Sequence, residues 1–179
     1  MIDWDNLRIS GESIATGFSL YEELGTVMPR IAREIGPIVR SKAFLPFPKN
    51  EIHTNMIATM ITTTEQLYKI GIDSVEFCPR IADKTGANVD TTDGKIMAEI
   101  LWEASRANPE NICLVLGSGD KDYIPALIKA RNKYGVDKVA IVASSLNSLA
   151  RALIPFAWRN PATKKKAIYL LFPHNNHSE

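Results

Sequence analysis

A chain of 179 residues, 45% hydrophobic and 23% charged, has enough material for one domain with a full core and little beyond it. No apolar run is long enough to cross a membrane, and the first residues lack the basic-then-apolar order of a secretory leader. The formal net charge of +1 excludes no class of partner, so the placement of the charges has to be read along the chain.

The chain opens on a very short predicted strand, residues 1–3 or 1–5, that ends in carboxylates and continues as Asp3-Trp4-Asp5-Asn6-Leu7. Residues 13–35 place Ile14, Phe18, Tyr21, Leu24, Met28, Ile31 and Ile35 at steps of three or four, which predicts a helix that Pro29 kinks or breaks. A strand follows over 38–47 and stops at Pro46 and Pro48, then a helix over 51–70, weakened by three threonines and ended by Gly71. Residues 73–79 read as a strand, 81–93 as a polar loop and 94–107 as a helix closed by Asn108-Pro109. Residues 112–116 are an apolar run ended by glycine, the pattern of a strand buried on both faces. A helix over 123–134, a strand over 138–143, a helix from Ser144 or Ser145 to about Phe156 and a strand over 167–172 complete the series. The polar tail 173–179 is expected to be disordered, with a single domain over 1–172.

Strict alternation of strand and helix predicts an α/β fold: a three-layer α/β/α sandwich with a mainly parallel central sheet. Cys78 and Cys113 stand alone in predicted strands and read as buried thiols of a reducing compartment, which places the chain in the cytoplasm.

In a parallel sheet the carboxyl ends of the strands meet along one edge, where open α/β sheets bind ligands. Asp3 and Asp5 leave the first strand there, and Asp120 and Asp122 leave the strand over 112–116 in the turn Gly117-Ser118-Gly119-Asp120-Lys121-Asp122. Asp90 and Asp93 lie in the loop before the helix over 94–107, so their position depends on how that helix packs. Converging carboxylates repel one another unless a cation neutralises them, and an all-oxygen set suits Mg²⁺ or Mn²⁺. Such ions can activate water against a phosphodiester. Each residue also has a plain structural use. Asp93 precedes Gly94 as a helix cap, Asn6 caps a helix or bonds a site carboxylate, Ser118 is a turn residue or a ligand contact, and Lys84 is a loop charge or a phosphate contact. The three histidines have no metal-like spacing.

These pieces resemble the NYN domains, a branch of the PIN-like nuclease superfamily. The matching segments are Ile2-Asp3-Trp4-Asp5-Asn6-Leu7, Lys84 with Asn88-Val89-Asp90, and Leu116-Gly117-Ser118-Gly119-Asp120-Lys121-Asp122-Tyr123-Ile124-Pro125, with Ser145 to Phe156 similar to the family's closing helix. The resemblance covers roughly the first 156 residues. It implies a PIN-like fold, metal-dependent ribonuclease activity, RNA as substrate, and Asp3, Asp90, Asp120 and Asp122 as acidic catalytic and metal-binding positions, with Asn6 as the family's amide. A further acidic residue is expected about two turns past Asp90, where Asp93 falls early and Glu99 late. The expected site is therefore Asp3, Asp90, Asp120, Asp122 and Asp93 around the metal, with Asn6, Ser118 and Lys84 on the substrate.

Basic residues that would meet RNA are Arg30, Arg33, Arg40 and Lys42, the helix set Lys129, Arg131 and Lys133, and the run Lys164 to Lys166. An exposed last strand would permit a homodimer. Two other readings compete. One is an RNA-binding or regulatory module of the same fold without catalysis. The other is a haloacid-dehalogenase-type phosphatase, whose motif Asp3-Trp4-Asp5 mimics but whose required threonine is replaced by Leu7.

Overall fold

The structure, a computed structural model, describes residues 1–12, 19–47, 54–82, 84–85 and 88–172. Its sheet elements are β1 (Ile2–Asp3), β2 (Lys42–Pro46), β3 (Ser74–Cys78), the pair β4 (Arg80–Ala82) and β5 (Asn88–Asp90), then β6 (Leu114–Gly117), β7 (Val139–Ala143) and β8 (Ile168–Leu170). The α-helices are α1 (Trp4–Glu12), α2 (Leu20–Glu34), α3 (Thr54–Lys69), α4 (Thr92–Arg106) and α5 (Ile124–Tyr134). Short 3₁₀ helices span Lys121–Tyr123 and Arg151–Phe156.

Six strands form one sheet in the order β3-β2-β1-β6-β7-β8, and every neighbouring pair is parallel. The expected three-layer α/β sandwich is what the chain adopts. Strand alternation divides the core between the two faces. Leu114, Leu116, Val139 and Ile141 pack with Ile96, Ile100, Leu127 and Ala130 of α4 and α5. Val115, Ala140 and Val142 pack on the other face with Leu7, Leu24, Val27, Ile31 and Leu67 of α1, α2 and α3. All five residues of β7 are buried, as a central parallel strand covered by helices on both sides requires.

The chain runs outward from β1 to β2 and β3, returns to place β6 on the free side of β1, and then runs outward again to β7 and β8. The direction of winding therefore reverses between β1 and β6. At such a switch point the crossover helices part to opposite faces, leaving a crevice at the carboxyl ends of the two strands.

Local signals set most boundaries. Ser19 caps α2, its Oγ accepting from the Glu22 N–H at 3.3 Å. Pro125 sits in the first turn of α5, and Gly135 ends that helix in the left-handed region (φ 73°). Four expectations are corrected. Helix α1 starts directly after β1, because Trp4, Leu7 and Gly11 present one buried stripe, and α2 begins only at Leu20; Ile14 and Phe18 lie outside the described residues. Pro29 stays inside α2 without ending it. The loop over 81–93 holds the antiparallel β4–β5 pair, with Ile81 opposite Val89. The expected helix from Ser144 to Phe156 is a turn followed by a 3₁₀ helix. Ser145 and Ser148 satisfy each other's backbone and hydroxyl groups, and Pro155 supplies no N–H. The tail 173–179 lies outside the described residues. Cys78 is buried and Cys113 partly so; both are free, and burial pushes both thiols up, Cys113 to about 11.

Candidate active site

Asp3 is the last residue of β1 and opens into the crevice between β1 and β6, yet it is only 6% exposed. Three donors surround its carboxylate. The Asn6 N–H reaches Oδ1 at 3.1 Å, while the Ser118 hydroxyl at 3.3 Å and the Tyr123 hydroxyl at 2.7 Å reach Oδ2. Burial raises the pKa of Asp3 above the ordinary carboxylate value, the donors oppose that shift, and the nearby Asp93 charge adds to it.

Tyr123 ends the 3₁₀ turn after β6 and is fully buried. Its hydroxyl oxygen lies 2.7 Å from Asp3 Oδ2 and 2.7 Å from Asp93 Oδ1. Burial and the two carboxylates push the phenol far up, so it stays protonated. A phenol carries one proton, so it cannot donate fully to two carboxylates at once. Asp93, in the first turn of α4, is itself solvent-exposed. The pair thus joins a buried carboxylate to one open to water.

The turn after β6 is held by its own polar groups. The Gly119 N–H donates to Asn6 Oδ1 at 3.0 Å, and the Asp120 N–H donates to Ser118 Oγ at 3.2 Å. The Gly119 carbonyl accepts from the Ala150 N–H at 2.8 Å. A Cβ at position 119 would stand 2.0 Å from the Ser148 carbonyl oxygen, so only glycine lets the two chain segments approach this closely. Asp120 adjoins the site through Ser118, and its Oδ1 accepts the Asp122 N–H at 3.0 Å, capping the 3₁₀ turn.

The structure therefore brings Asp3, Asn6, Ser118 and Asp93 into one bonded group, with Asp120 at its rim. The other expected site residues are outside this bonded group and make other contacts or face solvent. Asp90 accepts from the N–H and hydroxyl of Thr92, at 2.9 and 2.6 Å, at the start of α4, and lies 3.6 Å from the Arg80 guanidinium. Asp122 is exposed, and Lys84 is exposed in the turn between β4 and β5. Asp5 pairs with Arg8 at 3.4 Å. Several expected RNA-facing cations are engaged in ion pairs: Arg30 with Glu34, Arg40 with Glu103, and Lys42 with Glu76 and Glu99.

The sequence reading missed Tyr123. Its signal was present: a tyrosine directly after two turn aspartates, at the start of a helix that packs against α4. The oxygen-only pair Asp3 and Asp93 fits a divalent ion that keeps most of its waters and takes one or two protein carboxylates, as Mg²⁺ does. Among the described residues no three histidine, cysteine or acidic side chains converge into a closed cation cage. Among those residues no helix is long and apolar enough to cross a membrane.

No curated protein and no solved structure matches the chain. The family model of the NYN domain matches residues 1–157, which takes in every element from β1 through the second 3₁₀ helix. The crevice described above is thus the crevice of a PIN-like fold, and the chain belongs to the NYN domain family, within the PIN-like nuclease superfamily.

Proposed function

We propose that this chain is a divalent-metal-dependent ribonuclease that hydrolyses RNA phosphodiester bonds at the β1–β6 crevice. One observation carries the reading: the buried Asp3 carboxylate at the switch point, faced by the exposed Asp93 carboxylate across a single hydroxyl. A structural role for two facing carboxylates with one proton between them is costly, whereas a cation site benefits from the same arrangement. Asp3 and Asp93 would hold Mg²⁺ or Mn²⁺, with Asp120 beside them. When bound, such an ion supplies charge neutralisation and activation of water for in-line attack on phosphorus.

The chain's own residues do the positioning. Asn6 and Ser118 hold the Asp3 carboxylate in one orientation, and the Tyr123 hydroxyl stands between it and Asp93. Asn6 also clamps the turn at Gly119, so its role is to hold the site rather than to reach substrate. Asp90 fastens the start of α4, which carries Asp93, to β5 and Arg80. A cleft of about 660 Å³ opens on the α1 side, lined by Trp4, Arg8, Tyr21, Phe47, Phe77 and Arg80. Trp4 is buried behind it, while partly exposed aromatic side chains such as Tyr21, Phe47 and Phe77 are of the kind that stack unpaired bases, which favours single-stranded RNA. The two free thiols suit a reducing cytoplasm.

A second reading is a non-catalytic RNA-binding module of the same fold. The donors that Asp3 already accepts from Asn6, Ser118 and Tyr123 favour it, since they hold the buried carboxylate without a cation. Cleavage of a labelled single-stranded RNA with Mn²⁺ or Mg²⁺ separates the two. The wild type should cut, Asp3→Asn and Asp93→Asn should lose at least 100-fold in rate, and Asp120→Asn should be impaired. Asp90→Ala should keep most of the rate while losing about 1 kcal/mol of stability with its bonds to Thr92. RNA binding without cleavage, over several RNAs and both metals, would establish the binding module instead.

A further inference from the structure

We infer that the Tyr123 hydroxyl is a positioning group for the cation site, acting by holding the exposed Asp93 carboxylate against the buried Asp3. The inference rests on the reading of Asp3 and Asp93 as the cation's donors. Both carboxylate oxygens lie 2.7 Å from the same phenol oxygen, so they are no further apart than twice that distance. A cation with oxygen contacts of about 2.0–2.1 Å spans about 4 Å directly, so toward the wide end of that range the pair would share an ion through one of its waters.

Asp3 has no freedom to move toward Asp93, because it is buried and bonded by Asn6 and Ser118 as well. Asp93 does have that freedom. It sits in the first turn of α4, open to water, and like charge drives it away from Asp3. The Tyr123 hydroxyl, whose one proton lies between the two carboxylates, is the contact that turns it inward. The ring carrying that hydroxyl is fully buried in the core formed with α4 and α5, so its oxygen is a fixed point. The 3₁₀ turn after β6 thereby sets the spacing between a ligand on β1 and a ligand on α4, two elements on different sides of the crevice. A preorganised pair loses less entropy when it takes up an ion than one that must be gathered from solvent.

The test is Mn²⁺ binding, measured by calorimetry on the full chain, together with circular dichroism to confirm the fold. Wild type should bind, Asp3→Asn should not, and Tyr123→Phe should bind at least tenfold more weakly. Because Tyr123 acts through Asp93, the double variant with Asp93→Asn should bind no more weakly than Asp93→Asn alone, a non-additivity that a general structural loss would not produce. If Tyr123→Phe fails to fold, Asp93→Glu keeps the charge and the exposed helix position but moves the carboxylate off the hydroxyl. It should weaken Mn²⁺ at least threefold, and unchanged binding would overturn the inference. Equal or tighter binding by folded Tyr123→Phe, the result expected if the phenol competes with the ion, would overturn it while leaving the cation site standing. Absence of Mn²⁺ binding by the wild type, or full binding by Asp3→Asn, would remove the cation reading itself and the inference with it.

Discussion

Asp3 concentrates the conflict between stability and chemistry in this protein. Its pKa is raised, chiefly by burial, so the folded state holds a proton more tightly than the unfolded chain does. The sign follows from linkage. The favourable contribution is complete at pH below the ordinary carboxylate range and is lost as pH rises through the folded value. At neutral pH and without metal, the buried charge therefore destabilises the fold. Asp3→Asn should raise the melting temperature at pH 7 in chelator by about 2–4 °C, the shift produced by ~1 kcal/mol in a domain of this size. The gain should shrink as the pH is lowered into the carboxylate range, and a melting series over pH checks it. A lower melting point for the variant at pH 7 would show that the three donors outweigh the burial. Gly119 is a second residue whose identity is dictated by its surroundings. Gly119→Ala drives a Cβ into the Ser148 carbonyl and should cost about 1–3 kcal/mol in a denaturant titration. It should also loosen the turn that carries Ser118 and Asp120.

At the scale of single elements, α2 holds a defect that its neighbours tolerate. Pro29 lies in its interior and has no N–H for the Gly25 carbonyl one turn earlier. The position is exposed and the helix is held by Leu24, Val27 and Ile31 in the core, so packing overrides the local break. Pro29→Ala should therefore stabilise the fold by about 1–3 kcal/mol, read as a higher denaturation midpoint. A fall would mean that the ring itself packs. The same competition explains the boundaries misread from sequence. Helix α1 is nine residues long and signals itself only by Trp4, Leu7 and Gly11, too short a pattern to separate from a turn. The segment after β7 looks helical in its apolar spacing. Its serines bond one another, and Leu153 alone of its 3₁₀ helix is buried, so one anchor in the core suffices without a regular α-helix.

At the scale of the whole molecule, the winding reversal between β1 and β6 makes the site. Residues 115 positions apart, Asp3 and Ser118, meet because those two strands are neighbours, and α4 delivers Asp93 from a third place in the chain. A cation bound there joins β1, α4 and the turn after β6, and so should stabilise the fold as a unit. At Mn²⁺ a hundredfold above its dissociation constant, the linkage contribution is about 2.7 kcal/mol, or about 5–10 °C in melting temperature. Differential scanning fluorimetry with and without Mn²⁺ should show this for the wild type and not for Asp3→Asn; equal shifts in both would place the ion elsewhere. The sequence by itself determined the alternation of strand and helix, the buried central strands, the parallel sheet and the edge on which the carboxylates gather. Those follow from local periodicity and from the geometry every parallel sheet shares. Which carboxylates meet was decided only by the tertiary structure. Asp90 and Asp93 are three residues apart and indistinguishable by composition, yet one ends β5 and the other sits in the first turn of α4, so they meet different neighbours. One faces Thr92 and Arg80, and the other faces the Tyr123 hydroxyl. That choice depends on how α4 packs against α5 and β1, a relation between distant segments that no local pattern encodes.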